Sequence, residues 1–143
     1  MRQCSMIYGM VVIVDFAAVI HAADEAPPSV KSLPPVVVKT IPAAGDTQVD
    51  AATTKEIRVT FSKKMTDKSW SWANPNLGES TKLPIAGEPR YDADGKTCIV
   101  SVDLKPGRTY AVWINSEKFK NFKDAEGNSA VPYLLVFETK PAP

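Results

Sequence analysis

Thr97 to Asn115, TCIVSVDLKPGRTYAVWIN, reads as two β-strands joined by one tight turn. Cys98, Val100, Val102 and Leu104 fall on one side of the first strand, opposite Thr97, Ile99, Ser101 and Asp103. A two-residue period is the mark of a strand that buries one face. Pro106-Gly107 then reverses the chain, since proline presets one turn angle and glycine accepts the positive φ that follows. Beyond it Tyr110, Val112 and Ile114 alternate with Ala111, Trp113 and Asn115.

The same grammar extends outward in both directions. In Glu56 to Ser62 (EIRVTFS), Ile57, Val59 and Phe61 alternate with Arg58, Thr60 and Ser62. Val36 to Ile41 is a β-branched run stopped by Pro42 and by Gly45-Asp46, and Lys68 to Ala73 is a further strand candidate. Tyr91 to Lys96 contains an Asp-Gly hairpin turn. Tyr133 to Thr139 (YLLVFET) closes the series after a turn at Asp124 to Asn128. No segment keeps a 3.6-residue apolar period over a helical length, and 12 prolines disfavour helix interiors. Short strands separated by regular turn signals predict an all-β sandwich or barrel.

The N-terminus has a different character. Arg2 precedes the apolar stretch Met10 to Ile20 (MVVIVDFAAVI), and the small residues Ala22 and Ala23 lead into an acidic, proline-bearing segment. This is the layout of a secretory signal peptide over 1–23, cut after Ala23. The rival reading, a membrane anchor, needs an apolar run of about 20 residues. Residues 24–34 read as a flexible linker, 35–140 as one domain and 141–143 as a tail. The expected mature product is secreted, periplasmic or on the cell surface, with no stable membrane insertion. Cleavage would remove Cys4 and His21, leaving Cys98 as the single thiol and no histidine. Such a fold has no internal disulfide and stands on packing alone.

Leu104-Lys105-Pro106-Gly107-Arg108-Thr109-Tyr110 looks like the tyrosine corner of Ig-like and fibronectin-like sandwiches, in which a tyrosine hydroxyl ties back to backbone a few residues upstream. Leu104, Pro106, Gly107 and Tyr110 are its structural members. Ile41 to Gly45 leading into Val49, Val59 to Ser62 followed by Met65, and Asp124 to Asn128 before Phe137-Glu138-Thr139 surround it in order. Together these resemble the bacterial Ig-like domain named after the S-layer protein SbsA, across Pro35 to Lys140. The resemblance implies an antiparallel β-sandwich of about seven strands in an exported, cell-surface accessory module, with no catalytic residues to carry over.

Chemistry-bearing clusters are sparse. Without a histidine in the mature chain, neither a Ser-His-Asp nor a Cys-His arrangement can form. Cys98 lies among aliphatics on the inward face of its strand, where a thiol is inert. Asp92 with Asp94, and Asp124 with Glu126, sit in glycine-containing turns that favour aspartate for backbone reasons. Gly95 does not fit an EF-hand, because Arg90 and Ser101 would occupy ligand positions. A looser, weak calcium site at Asp92, Asp94 or Asp124 stays open. Lys118 to Lys123 (KFKNFK) interleaves lysines with aromatics, but 17 basic residues against 16 acidic give no polyanion signature. Phe119 and Phe122 are expected to cap the core there. No enzyme activity, cofactor, metal or nucleic-acid partner is expected.

A contact surface is the stronger expectation. If Tyr110, Val112 and Ile114 point inward, Trp113 points outward; if Tyr133, Leu135 and Phe137 point inward, Leu134 and Val136 point outward. As neighbouring strands of one sheet, they would place Trp113, Leu134 and Val136 in one exterior apolar patch. Trp70 and Trp72 share a face, so both are core or both are surface, with core favoured. Outward, they would extend the patch into an aromatic platform suited to sugar rings. The expected partner is therefore another protein or a second copy, with envelope polysaccharide as the alternative.

Overall fold

The structure, a computed structural model, describes residues 26–143. The expected signal peptide, Cys4 and His21 lie outside the described residues. Seven strands form: β1 (Val37–Ile41), β2 (Glu56–Phe61), β3 (Trp72–Ala73), β4 (Ile85–Tyr91), β5 (Thr97–Val102), β6 (Thr109–Ile114) and β7 (Tyr133–Glu138). They make two antiparallel sheets, one ordered β1-β2-β5-β4 and one ordered β3-β6-β7. This four-plus-three division is that of a constant-type Ig sandwich. The only helical element among the described residues is a 3-10 turn, Glu79–Thr81.

The alternation predicted from sequence fills the space between the sheets. Ile57, Val59 and Phe61 meet Cys98, Val100 and Val102 from one sheet, and Val112, Ile114, Leu135 and Phe137 from the other. Ile57, Val59, Val100, Ile114 and Leu135 are completely buried. On the outer face of the larger sheet, Ile99 is also buried although its position points away from the core. Its cross-strand neighbours are Arg58 and Arg90. Arg58 bonds Asp92 at 2.7 Å and Glu56 at 3.3 Å, and Arg90 bonds Glu56 at 2.7 Å. The network holds both aliphatic stems beside Ile99 while the charged heads stay wet.

Two strands depart from the sequence reading. β4 has no counterpart in the sequence reading, and Gly87 and Pro89 lie within it. It forms at a sheet edge, where the pairing shifts register between Ala86 and Arg90. That irregularity accommodates Gly87 at φ +82° and the missing N–H of Pro89. The strand expected over Lys68–Ala73 shrinks to Trp72–Ala73. Lys68 takes φ +58°, and Ser69 turns back to donate its hydroxyl to the Thr66 carbonyl at 2.6 Å.

The tyrosine of the 104–110 turn is buried, and its hydroxyl accepts the Lys105 N–H at 2.8 Å. Leu104 is buried beside it, and Gly107 takes φ +66° in the intervening turn. After β1 the chain crosses to the other sheet, where Gly45 donates to the Val136 carbonyl and Glu138 to the Asp46 carbonyl, both at 2.7 Å. Val49 continues this parallel pairing with Thr139. The outer edge of β7 is thereby closed against strand addition over this stretch.

The expected flexible linker is partly ordered. Ser29 to Leu33 forms a hydrogen-bonded turn, and Lys63 Nζ donates to the carbonyls of Val30, Lys31 and Leu33 at 2.9, 3.0 and 2.7 Å. The largely covered Lys63 ammonium collects these carbonyls, so the segment docks although its composition resembles a linker.

Replacing Tyr110 with Phe leaves the Lys105 N–H without its acceptor. Urea denaturation is expected to record a loss of about 1–3 kcal/mol with the β-sheet circular dichroism unchanged.

Candidate functional site

Trp113 lies on the outer face of the three-stranded sheet. Its cross-strand partners are Ala73 on β3 and Leu134 on β7, and Val136 lies opposite Ala111 two pairs further along. Two register steps separate those pairs, so the pairing brings Trp113, Leu134 and Val136 together on one face. All three are half-buried rather than open, and Ala111 is fully covered, with the Glu79–Lys82 segment running against β6. The apolar face is thus smaller than the strand pattern alone predicts.

Trp70 and Trp72 do not join it as a flat platform. Trp72 stands opposite Ile114, an inward residue, so the register puts it on the core side of the sheet. Its ring meets Phe122 edge-on at 5.7 Å, while Trp70 lies 6.4 Å from Tyr91. Both tryptophans are half-buried against the core. The indole nitrogen of Trp72 is enclosed without a hydrogen-bond partner.

What shapes the site is the long connection from β6 to β7, which folds onto the end of the sandwich. Asn115 ends β6 at φ +56° and is completely buried. Its Nδ2 donates to the carbonyls of Phe122 (3.1 Å) and Ala130 (2.9 Å), and its Oδ1 accepts the Phe122 N–H at 2.9 Å. Asp124 is buried nearby. Its carboxylate accepts the Asn128 backbone N–H at 2.8 Å and side-chain amide at 3.0 Å, and pairs with Lys63 at 2.5 Å. Burial alone would raise the Asp124 carboxyl, but Lys63 and Asn128 outweigh it and hold it below the ordinary range.

This polar frame divides the two phenylalanines expected to cap the core together. Phe122 is fully buried, with its ring 5.1 Å from Phe61. Phe119 is instead 56% exposed. Ser116 fixes it from the other side: the Ser116 N–H donates to the Phe119 carbonyl at 2.8 Å, and its hydroxyl accepts the Phe119 N–H at 3.1 Å.

Phe119 and Trp113 line a cleft of about 510 Å³, with Pro75, Pro132, Asn74 and Asn76 among its walls. A second cleft of about 480 Å³ is lined by Trp70 and Trp72 and shares Ala73, Asn74, Asn76 and Phe119 with the first. The three tryptophans thus border two clefts that adjoin at these shared residues, though not one plane. Asn74 and Asn76 were missed by sequence reasoning, and Phe119, expected in the core with Phe122, lies on the surface instead. For the two asparagines the available signal was the Asn-Pro-Asn turn next to Trp72.

The remaining candidate groups are committed to structure. Cys98 is completely buried, and desolvation pushes its thiol up to about 12. Asp92 is held by Arg58. Asp94 accepts the backbone N–H groups of Lys96 and Thr97 and the Thr97 hydroxyl, and these bonds, the Lys96 one foremost, lower its carboxyl. Among the described residues, no group of three or more His, Cys, Asp or Glu is placed to hold a metal ion. Asp124, one of the calcium candidates, instead has both oxygens engaged by Lys63 and Asn128. No helix among the described residues is long and apolar enough to cross a membrane.

A family model described as bacterial Ig-like domain matches residues 31–139. Among solved structures, the chain is similar to the S-layer protein rSbsC(31-844), with a TM-score of 0.48 and 23% identity over 78% of this chain. It is similar also to surface layer protein SbsC, domains 1-6, with a TM-score of 0.49 and 22% identity over 79%. The chain spans 14% and 15% of those two longer chains. No curated protein matches it.

Two measurements check this site chemistry. Cys98 is expected to resist a thiol reagent in the native state and to react promptly in denaturant. Because the folded Asp124 carboxyl titrates below its ordinary 3.8, its stabilisation is complete above that pH and is lost as pH falls through the lower folded value. Asp124→Asn leaves the Lys63 ammonium without its counter-charge. It is expected to cost about 3–5 kcal/mol near neutral pH, and to make the loss of stability in acid less steep. Glu56, lowered chiefly by its bond from Arg90, and Asp94 would supply the remaining acid sensitivity.

Proposed function

The chain belongs to the bacterial Ig-like domain family, and from that premise we propose that it is a non-catalytic, adhesion-type binding module exported to the bacterial cell envelope. Within the family we place it with the SbsA-type domains, on the order of its turn motifs from Ile41 to Thr139. The contact is made through the Trp113 corner of the three-stranded sheet, with Leu134 and Val136 as its apolar flank.

One observation carries this reading. Trp113 and the exposed ring of Phe119 border the same cleft. The neighbouring outer edge of β7 is closed by Gly45 to Val49, which favours side chains over backbone edges as the means of contact. Aromatic side chains in a partly desolvated hollow are the residues from which binding hot spots are built. The reactive groups, by contrast, are buried or paired: Cys98 in the core, Asp92 with Arg58, Asp124 with Lys63. The partner classes that fit an envelope module are a protein surface, a second copy of the chain and an envelope polysaccharide.

The test is retention of the chain on isolated envelope fragments, walls together with their proteins. Trp113→Ser is expected to abolish most of the retention while costing less than about 2 kcal/mol of unfolding free energy. A collapse of stability would place the ring in the core, and unchanged retention would place the contact elsewhere. Either result ends the proposal.

A further inference from the structure

Resting on that reading, we infer that the ligand of the Trp113 corner is an uncharged pyranose chain lying across the two adjoining clefts. The argument begins with rigidity. Asn74 Oδ1 accepts the Asn76 N–H at 3.1 Å, closing a small turn around Pro75, and Asn76 sits at φ +57°. On the opposite wall the reciprocal Ser116–Phe119 bonds close a second turn, and Pro132 stiffens the approach to β7. A cleft whose walls are already fixed loses little freedom when it is filled.

Its chemistry is equally particular. The Trp113 and Phe119 rings offer apolar faces with negative quadrupoles, suited to the polarised C–H groups on one face of a pyranose. Among the described residues, the amide nitrogen of Asn74 and the whole carboxamide of Asn76 have no intramolecular hydrogen-bond partner. Each carboxamide supplies donors, and Asn76 a free acceptor as well, matching hydroxyls that both donate and accept. Glu117 and Lys118 on the rim balance one another, so neither a polyanion nor a polycation is selected. Because Asn74, Asn76 and Phe119 belong to both clefts, a ring on Trp113 can be continued toward Trp70 and Trp72 by a linked ring. A few convergent polar groups in an apolar hollow are the usual composition of a small-ligand site.

The experiment titrates the chain with tetra-N-acetylchitotetraose and cellotetraose as neutral probes, tetragalacturonate as a charged probe and decaproline as a peptide probe. Backbone amide shifts and tryptophan fluorescence are the readouts. At least one neutral tetrasaccharide is expected to bind, shifting amides of residues 74–76 and 116–119, with tetragalacturonate and decaproline inert. Phe119→Ala, at an exposed position, and Asn76→Ala are each expected to weaken binding roughly tenfold or more. Binding of decaproline or tetragalacturonate in preference to both neutral probes overturns the inference. Failure of both neutral probes while Trp113-dependent retention on envelope fragments persists also overturns it, and leaves a protein surface as the ligand. Loss of that retention as well refutes the binding reading itself.

Discussion

Lys63 and Asp124 meet in the interior at the end of the sandwich, and the architecture of that end follows from their pairing. The carboxylate is fully buried and the ammonium nearly so. Such a pair is tolerated only when the remaining hydrogen-bonding capacity of both partners is used. Here it is used: three carbonyls of the N-terminal turn surround the ammonium, and Asn128 occupies the carboxylate. One ion pair therefore joins three segments distant in sequence, the turn at Ser29 to Leu33, the segment after β2 and the β6–β7 connection. Asn115 performs the neighbouring task with neutral groups, stitching Phe122 and Ala130 to the end of β6.

Function rests on that framework through Phe119 and Phe122. With Asn115 and Asp124 fixing the connection, Phe122 enters the core against Phe61 and Trp72, and Phe119 is left on the surface beside Trp113. The hollow is thus walled by a loop supported from beneath by buried polar bonds. Its position at the open corner of the sheet, beside a β7 edge already occupied, directs binding to side chains.

Glu56–Phe61 was legible because it alternates strictly, one face buried and the other wetter. Thr97–Val102 and Thr109–Ile114 keep their inward set in the same two-residue period, but Ile99 and Ala111 are buried on their outward sides as well. β4 was illegible because an edge strand with a register break can include Gly87 and Pro89, residues that an inner strand rejects. The tyrosine turn was legible as a local motif, since Lys105 and Tyr110 are close in sequence. The Lys63–Asp124 pair was not, because nothing in an isolated lysine and a turn aspartate says that folding will join them. The outward side of Trp113 followed from alternation, whereas the inward side of Trp72 required the register with Ile114. Phe119 escaped for a related reason: spacing alone does not tell which of two phenylalanines enters a core from a loop.

The central claim is that the β6–β7 connection is an integral part of the folded core and not a surface loop. Native-state hydrogen exchange at single-amide resolution tests it most directly. The N–H groups of Phe122, Asp124, Asn128 and Ala130 are expected to exchange only through global unfolding, as slowly as those of β2 and β5. If they exchange as fast as the exposed Lys118 to Lys120 segment, the buried polar frame does not hold the connection, and the cleft between Trp113 and Phe119 has no fixed wall.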